Sequence, residues 1–216
     1  MAVLQRRRNV GMLSENRPLL IGLAGPSGAG KTTLAKHIAQ KYPQVTHIRL
    51  DGFYKTLEEF PLFGKWINRE APENLKWDKF YRALVSLRAG QPTEFPVYEK
   101  KLDRCVGSEL VAPSPIVIAE GYLLYHDPRI RELFDVKLFL HVSVDAQYQR
   151  KKSRWPEMDD DYFYQVVVPM FEMHGSHGAR HAQDIFNGDV SEEEIIVQFE
   201  NSPFVKTMLN TPSRAG

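Results

Sequence analysis

A glycine-rich stretch near the start of the chain constrains the fold more than any other part of the sequence. Residues 19–24 form an apolar run before it, with the composition of a buried β-strand. The stretch itself consists of Gly25, Pro26, Ser27, Gly28, Ala29, Gly30, Lys31, Thr32 and Thr33. Apolar residues then recur at helical spacing over residues 34–39. A strand, a turn that matches G-x-x-x-x-G-K-[ST] and a helix therefore follow one another, as in a phosphate-binding loop.

The residue types in this loop suit a nucleoside triphosphate. Glycines let backbone N–H groups curve around phosphate oxygens, and the positive end of the helix dipole points to the same place. Lys31 can reach the β- and γ-phosphates, and the Thr32 hydroxyl can ligate Mg²⁺. We therefore expect residues 25–33 to bind ATP together with Mg²⁺. The alternative is a glycine-rich turn that only connects two elements.

The composition is that of one globular domain without a strongly charged surface. The 216 residues include 28 basic and 27 acidic side chains, so neither a nucleic acid nor a membrane is expected as a partner. A single cysteine, Cys105, excludes an internal disulfide and suits a reducing compartment, the cytoplasm. The sequence has no apolar run of transmembrane length. It leaves open whether the chain forms a homo-oligomer.

Three regions are expected along the chain. Residues 1–17 contain Arg6-Arg7-Arg8 and are expected to form a flexible basic tail, with an organellar transit segment as the alternative. One folded domain is expected over residues 18–201. Residues 202–216 are expected to form a C-terminal tail.

Two carboxylates follow predicted strands at positions where parallel sheets carry their ligands. Asp51 ends a strand at residues 45–50, and Glu120 ends an apolar strand at residues 116–119. Ligands gather at the carboxyl ends of such strands, so both acids are expected beside the phosphate-binding loop. Asp51 either acts on an attacking hydroxyl, holds the metal through water, or only makes an Asx turn with Gly52. Glu120 is expected to face the Mg²⁺.

The rest of the chain offers a binding loop and a lid. Residues 56–77 look irregular and rich in aromatics, which is typical of a binding loop. Asp78 opens the next helix, where it serves either as the N-cap or as a ligand. Arg150 and Arg154 share one helix face at the start of a predicted lid, residues 150–162. These arginines are either solvated or in contact with the transferred phosphoryl group.

The order of the elements predicts the fold class. Predicted strands at residues 19–24, 45–50, 116–119, 136–142 and 182–186 are separated by helices or long connections. Such an order gives a mainly parallel, five-stranded sheet with helices on both faces. The expected fold is thus an α/β three-layer sandwich of the P-loop NTPase type with a short lid.

Several stretches together carry a family resemblance. They are the phosphate-binding loop, Asp51-Gly52-Phe53-Tyr54-Lys55, Pro96-Val97-Tyr98-Glu99, Ile118-Ala119-Glu120-Gly121-Tyr122-Leu123-Leu124 and the basic run at residues 150–154. In this order they resemble the uridine kinase, nicotinamide riboside kinase and phosphoribulokinase group of P-loop kinases. The resemblance spans about residues 18–200 and implies a nucleoside kinase-like domain.

The resemblance also implies roles for single residues. In that group an aspartate placed like Asp51 is the base for a sugar 5′-hydroxyl, and a glutamate like Glu120 helps to hold the metal. Lid arginines, here Arg150 and Arg154, clamp the phosphates together with the loop lysine, and an aspartate like Asp78 binds ribose hydroxyls. The implied acceptor site consists of Asp51, Phe53, Tyr54, Trp77, Asp78, Tyr98, Arg104 and Trp155.

The acceptor itself stays open at this point. Residues 87–98 resemble uridine kinases, whereas the short lid resembles nicotinamide riboside kinases, in which aromatics sandwich the nicotinamide ring. Uridine kinases carry a histidine shortly before the arginine that matches Arg104, and this chain has none there. We expect an ATP-dependent kinase acting on a small-molecule hydroxyl, first of all the 5′-OH of a ribonucleoside. Alternatives are pantothenate, glycerate or a sugar phosphate as acceptor, and an ATPase or switch without an acceptor.

Overall fold

A computed structural model describes residues 17–100 and 102–209, so residues 1–16 and 210–216 of the two expected tails lie outside the described residues. The described strands are β1 (Leu19–Ala24), β2 (Val45–Arg49), β3 (Leu62–Phe63), β4 (Trp66–Ile67), β5 (Thr93–Glu99), β6 (Arg104–Val111), β7 (Ile116–Gly121), β8 (Val136–His141) and β9 (Asp184–Asn187). The described helices are α1 (Lys31–Lys41), α2 (Trp77–Arg88), α3 (Pro128–Arg131), α4 (Val144–Arg154), α5 (Asp160–Tyr162), α6 (Val168–His174), α7 (Glu192–Asn201) and α8 (Pro203–Leu209). None of these helices is long and apolar enough to cross a bilayer.

Five strands form one parallel sheet in the order β2-β7-β1-β8-β9. β1 lies in the centre, with Leu19 opposite Ile116 of β7 and Ile21 opposite Val136 of β8. Every residue of β7 is buried, because helices cover both faces of a parallel sheet. This explains why the central strands are uninterrupted apolar runs. The predicted five-stranded α/β sandwich is confirmed.

Two apolar cores lie on the two faces of the sheet. On one face, α1, α7 and α8 contribute Leu34, Ile38, Ile195, Phe199 and Val205. On the other face, α2, α3 and α6 contribute Phe80, Leu84, Leu87, Ile130 and Phe171. Since Val205 of α8 is fully buried, the chain stays folded beyond Ser202. The expected start of the C-terminal tail at residue 202 is therefore wrong.

The hydrophobic pattern of the sequence does not predict two of the observed hairpins. β3 and β4 pair inside the loop that was expected to be irregular. β5 pairs with β6 in a second, antiparallel hairpin, which was not among the predicted strands. Nearly every side chain of β6 is exposed, so it lacks the apolar alternation that identifies a half-buried strand.

The helical segment after α4 contains a π-helical turn. α5 leads into this turn at Phe163–Val167, and α6 follows directly. Pro169 lies in the first turn of α6, where its missing N–H is tolerated. The wider turn changes the hydrogen-bond register just before the proline.

Candidate active site

The phosphate-binding loop joins β1 to α1, and its glycines shape it. Gly30 precedes α1 with a φ of 101°, a left-handed conformation that glycine adopts without strain. A Cβ atom at Gly25 would lie 2.2 Å from the carbonyl oxygen of Leu140, so only glycine fits there. The loop therefore passes close to β8 and presents its backbone and the N-terminus of α1 to a ligand.

Lys31 is the first residue of α1, and its side chain is buried. Its Nζ donates hydrogen bonds to the carbonyl oxygens of Gly25 and Pro26, at 2.9 and 2.8 Å. Burial disfavours the charged form and lowers the pKa of Lys31 to about 8, although the nearby Glu120 and Asp51 carboxylates favour the charge. A cation is thus held at the loop where phosphate groups bind.

Glu120 lies beside the loop because of the register of β7. It is opposite Leu23, close to the end of β1. The Thr32 hydroxyl donates a hydrogen bond to Glu120 Oε1 at 2.8 Å, and only 3% of the Glu120 side chain is exposed. Burial raises the pKa of Glu120, but the neighbouring His47, Lys31 and Thr32 outweigh burial and keep the pKa below its ordinary value. Glu120 is therefore ionised at neutral pH.

Asp51 directly follows β2 and meets several cations. Lys100 Nζ lies 2.8 Å from Asp51 Oδ2, and Arg49 donates a hydrogen bond to the same oxygen at 3.3 Å. Arg49 Nε also lies 3.3 Å from Glu120 Oε1, so one guanidinium contacts both acids. Burial raises the pKa of Asp51, but Lys100, Arg49 and Lys31 outweigh burial and lower the pKa. Asp51 is thus ionised at neutral pH.

These groups face one cavity of about 550 Å³, which we call the acceptor cavity. The sequence-predicted residues that line it are Ser27, Gly28, Lys31, Thr32, Asp51, Tyr54, Tyr98, Glu120, Arg154 and Trp155. The lining residues that sequence reasoning missed are Phe60, Arg69, Glu70, Lys100, Asp103, Tyr122, Lys151 and Tyr162. The cavity therefore combines a phosphate-binding loop, two ionised acids and an aromatic wall.

The family model of the phosphoribulokinase / uridine kinase family matches residues 20–157, more than half of the chain. The chain belongs to this family. A uridine kinase from Halalkalibacterium halodurans is 38% identical over 165 residues, which cover 71% of this chain and 78% of that protein. A uridine kinase from Chloroflexus aurantiacus is 30% identical over 182 residues, covering 79% of this chain and 87% of that protein.

The fold is also found in solved kinase structures. A D-glycerate 3-kinase from Cryptococcus neoformans has a TM-score of 0.56 at 16% identity, covering 85% of this chain and 91% of that one. The family match and the relatives named uridine kinase confirm the resemblance that rested on short stretches of sequence. As a member of the phosphoribulokinase / uridine kinase family, the chain is a phosphotransferase that acts on a hydroxyl group.

In this family member, three predicted site residues lie away from the acceptor cavity. Phe53 is buried in the core on one face of the sheet, and Arg104 lies on the exposed strand β6. Arg150 donates hydrogen bonds to the carbonyl oxygens of Gly188 at 2.7 Å and Ala29 at 3.4 Å. Arg150 thus contacts the backbone of the phosphate-binding loop. Phe53 and Arg104 do not line this cavity, and Arg150 lines a second cavity between the phosphate-binding loop and α7.

Trp77 and Asp78 also lie outside the acceptor cavity. α2 begins at Trp77 with Lys76 at the N-cap position, so Asp78 is not the N-cap. The Asp78 carboxylate lies 2.9 Å from an Arg129 nitrogen, and 69% of the Asp78 side chain is exposed. Trp77 Nε1 donates a hydrogen bond to the carbonyl oxygen of Pro72 at 2.8 Å. The structure therefore does not bring these two predicted acceptor residues to the cavity that Asp51 lines, and their roles stay predictions.

Glu70 is a buried carboxylate of the acceptor cavity that sequence reasoning missed. It lies in the loop before α2, and 9% of its side chain is exposed. Its Oε1 is 3.1 Å from Nζ of Lys151, which extends from α4. The sequence signal that could have identified Glu70 is its position as an acid inside a loop that is expected to bind a ligand. A loop has no periodicity, however, so the sequence does not indicate which of its acids points inward.

Proposed function

We propose that this protein is an Mg²⁺- and ATP-dependent kinase that phosphorylates the 5′-hydroxyl of a ribonucleoside: uridine, cytidine or nicotinamide riboside. The observation that carries the proposal is the meeting of Lys31, the ionised Asp51 and the buried Glu70 in one cavity. A cation for phosphate, a base for a hydroxyl and a second acid for further hydroxyls are what such a reaction needs. The relatives named uridine kinase support a nucleoside as the acceptor.

ATP would span two neighbouring cavities. Its phosphates would lie at the phosphate-binding loop, and its base in a cavity of about 360 Å³ between this loop and α7. Leu34, Val190, Ile195 and Ile196 give the second cavity an apolar wall that suits an adenine ring. Arg154 lines both cavities and is therefore the lid cation best placed to contact the phosphates between them.

The pKa of Lys31 predicts how ATP binding depends on pH. Phosphate groups favour the charged lysine, and in the free protein this form is lost as the pH rises through about 8. We expect the dissociation constant of Mg·ATP to increase roughly ten-fold between pH 7 and pH 9, because about a tenth of the lysine stays charged one unit above its pKa. Calorimetric titration at both pH values measures this change. Equal constants would contradict the prediction, and Lys31→Met should abolish the pH dependence.

Thr32 and Glu120 have the chemistry of a magnesium site. Mg²⁺ prefers oxygen ligands, and here a hydroxyl and an ionised carboxylate lie 2.8 Å apart beside the phosphate-binding loop. We assign these two residues to the metal. When bound, Mg²⁺ supplies positive charge to the β- and γ-phosphate oxygens.

Asp51 would act on the acceptor. Its ionised carboxylate accepts a hydrogen bond from the 5′-hydroxyl and takes the proton as that oxygen bonds to the γ-phosphorus of ATP. The bond from the γ-phosphorus to the bridging oxygen breaks, and ADP leaves. Lys31 and Arg154 offset the charge that develops on the phosphate oxygens. Lys100 must leave Asp51 for this step, and its side chain is 64% exposed and attached to a hairpin turn.

The remaining lining of the acceptor cavity suits a nucleoside. Tyr54 and Tyr98 form an aromatic wall with ring centroids 5.5 Å apart, and Trp155 and Tyr162 form another with centroids 6.3 Å apart. Aromatic walls bind flat rings by stacking. The two oxygens of Glu70 can accept hydrogen bonds from ribose hydroxyls, the role that the resemblance implied for Asp78.

Glu70→Gln is expected to raise the KM for the nucleoside about ten- to one hundred-fold, the value of one hydrogen bond to a charged group, with a smaller effect on kcat. The physical reason is that an amide keeps the shape but offers only one acceptor oxygen. Steady-state kinetics with varied nucleoside measure the change. Glu73→Gln is the matched control, since Glu73 is exposed and does not line the acceptor cavity. Equal KM values in wild type and Glu70→Gln would contradict the assignment.

ADP release from the purified protein tests the function itself. Mg·ATP is supplied with uridine, cytidine, nicotinamide riboside, pantothenate or glycerate, and one sample has no acceptor. We expect strong stimulation by one of the three nucleosides. If only pantothenate or glycerate stimulates ADP release, that compound and not a nucleoside is the acceptor. Equal, slow hydrolysis in every sample would favour an ATPase or switch.

A further inference from the structure

The outer wall of the acceptor cavity comes from two separate segments. The loop before α2 contributes Phe60, Arg69 and Glu70, and the tip of the β5–β6 hairpin contributes Lys100 and Asp103. Arg69 and Asp103 are 34 positions apart in the chain. What holds these two segments together therefore decides how far the cavity opens.

Arg69 and Asp103 join the two segments directly, and we call them the tip pair. Both terminal nitrogens of Arg69 donate hydrogen bonds to the two carboxylate oxygens of Asp103, one of them at 2.9 Å. Such two-point arginine–carboxylate contacts are the strongest and most directional ion pairs. The backbone N–H of Arg69 also donates to the Tyr162 hydroxyl at 3.1 Å. Arg69 thus connects the loop, the hairpin tip and the end of the predicted lid.

The hairpin is packed at its base but exposed towards its tip. At the base, Phe95 is buried, and the Pro96 carbonyl oxygen approaches Gly52 so closely that a Cβ there would lie 2.6 Å from it. Along β6, by contrast, the side chains face solvent. Asp103 has a φ of 48°, which is uncommon for a residue other than glycine. Little apolar packing holds the tip, so polar contacts such as the tip pair and the Lys100–Asp51 ion pair attach it to the rest of the domain.

We propose that the tip pair keeps the hairpin closed over the acceptor cavity and so sets how tightly the acceptor is retained. This inference rests on the proposed function, since it concerns the acceptor of that reaction. With the pair formed, the hairpin tip stays over the cavity and Tyr98 stays against Tyr54, while the flexible Lys100 side chain can leave Asp51. Without it the tip moves away and the acceptor dissociates faster. Arg69 and Asp103 are positioning residues, because they act through the wall of the cavity.

Kinetics of four variants test the pair. Asp103→Asn removes the charge and keeps a residue that tolerates a positive φ, and Arg69→Gln removes the guanidinium. We expect each to raise the acceptor KM about ten-fold while kcat and the KM for ATP change less than about two-fold. The double variant should be no worse than either single one, because the pair acts as a unit. Arg69→Lys keeps the charge without the two-point contact and should give an intermediate KM.

A surface ion pair provides the matched control. Lys41 Nζ lies 2.6 Å from Glu200 Oε1, and neither residue lines the acceptor cavity. Lys41→Gln should leave the acceptor KM unchanged. Additive effects of Asp103→Asn and Arg69→Gln, or an unchanged KM in both, would overturn the proposal.

Hydrogen exchange separates this inference from the proposed function. In the full chain without acceptor, backbone amides at residues 98–106 should exchange faster in Asp103→Asn than in wild type, and at the wild-type rate in Lys41→Gln. Equal exchange in wild type and Asp103→Asn would overturn the proposal that the tip pair closes the hairpin, whichever acceptor the protein uses. A wild-type protein that releases no acceptor-dependent ADP instead overturns the proposed function, while the exchange comparison still decides whether the tip pair closes the hairpin.

Discussion

Lys31→Met is expected to lower kcat for acceptor phosphorylation by roughly 10²- to 10³-fold, the usual cost of losing one charge-stabilising group. The ammonium group of Lys31 is held at the loop by the carbonyl oxygens of Gly25 and Pro26. Methionine has a similar length and no charge, so the developing charge on the phosphate oxygens loses its nearest buried partner. Single-turnover measurement of ADP formation at saturating Mg·ATP reports this step.

The stability of the Lys31→Met variant distinguishes lost chemistry from lost structure. Burial lowers the pKa of Lys31 to about 8, so the folded protein binds this proton more weakly than the unfolded chain does. The charged lysine therefore destabilises the fold at pH 7, and methionine should leave the thermal midpoint unchanged or raised. Lys36→Met, on the exposed side of α1, serves as the control for both measurements. Wild-type turnover in Lys31→Met would contradict the role assigned to the lysine.

Local sequence pattern explains why the nucleotide side of the site could be predicted. The conformation at Gly25 and Gly30 and the position of Lys31 are specified within a few consecutive residues. Asp51 and Glu120 were located by one additional rule, that the carboxyl ends of parallel strands converge at one edge of a sheet. The structure brings both of these acids to the cavity that Lys31 lines.

The acceptor side could not be predicted in the same way, because loops and an exposed hairpin build it. Glu70 and Arg69 lie in a loop without periodicity, and Asp103 lies at a turn next to a strand with no buried face. Their positions depend on long-range ion pairs, such as Glu70 with Lys151. Single-sequence patterns carry no information on such contacts.

The role predicted for Asp78 was carried over by order along the chain, and the structure places this residue outside the acceptor cavity. Asp78 was chosen because it lies near the start of α2, and the structure turns its carboxylate to Arg129 at the surface. Glu70, eight positions earlier, is the acid that reaches the acceptor cavity. The position of an acid along the chain does not determine whether its side chain points into a cavity.

Asp51→Asn is expected to lower kcat about 10²- to 10⁴-fold, the range for loss of a general base. The amide has the same shape but does not take a proton from the 5′-hydroxyl. The affinity for Mg·ATP should change little, since Lys31, Thr32 and Glu120 remain in place beside the loop. Rapid-quench turnover with the best nucleoside of the acceptor panel, together with calorimetric titration of Mg·ATP, separates these two effects.

Asp78→Asn is the informative comparison for Asp51→Asn, because both variants change an aspartate to its amide and the resemblance implied an acceptor contact for both. The Asp78 carboxylate makes a surface ion pair with Arg129, and such pairs contribute about 1 kcal/mol or less. Its kcat and nucleoside KM should therefore stay within about two-fold of wild type. A large rise in KM for Asp78→Asn would mean that α2 turns towards the acceptor when it binds. Full turnover by Asp51→Asn would instead show that the hydroxyl proton needs no carboxylate at this position. Catalysis would then rest on alignment of the acceptor and on neutralisation of the phosphate charge alone.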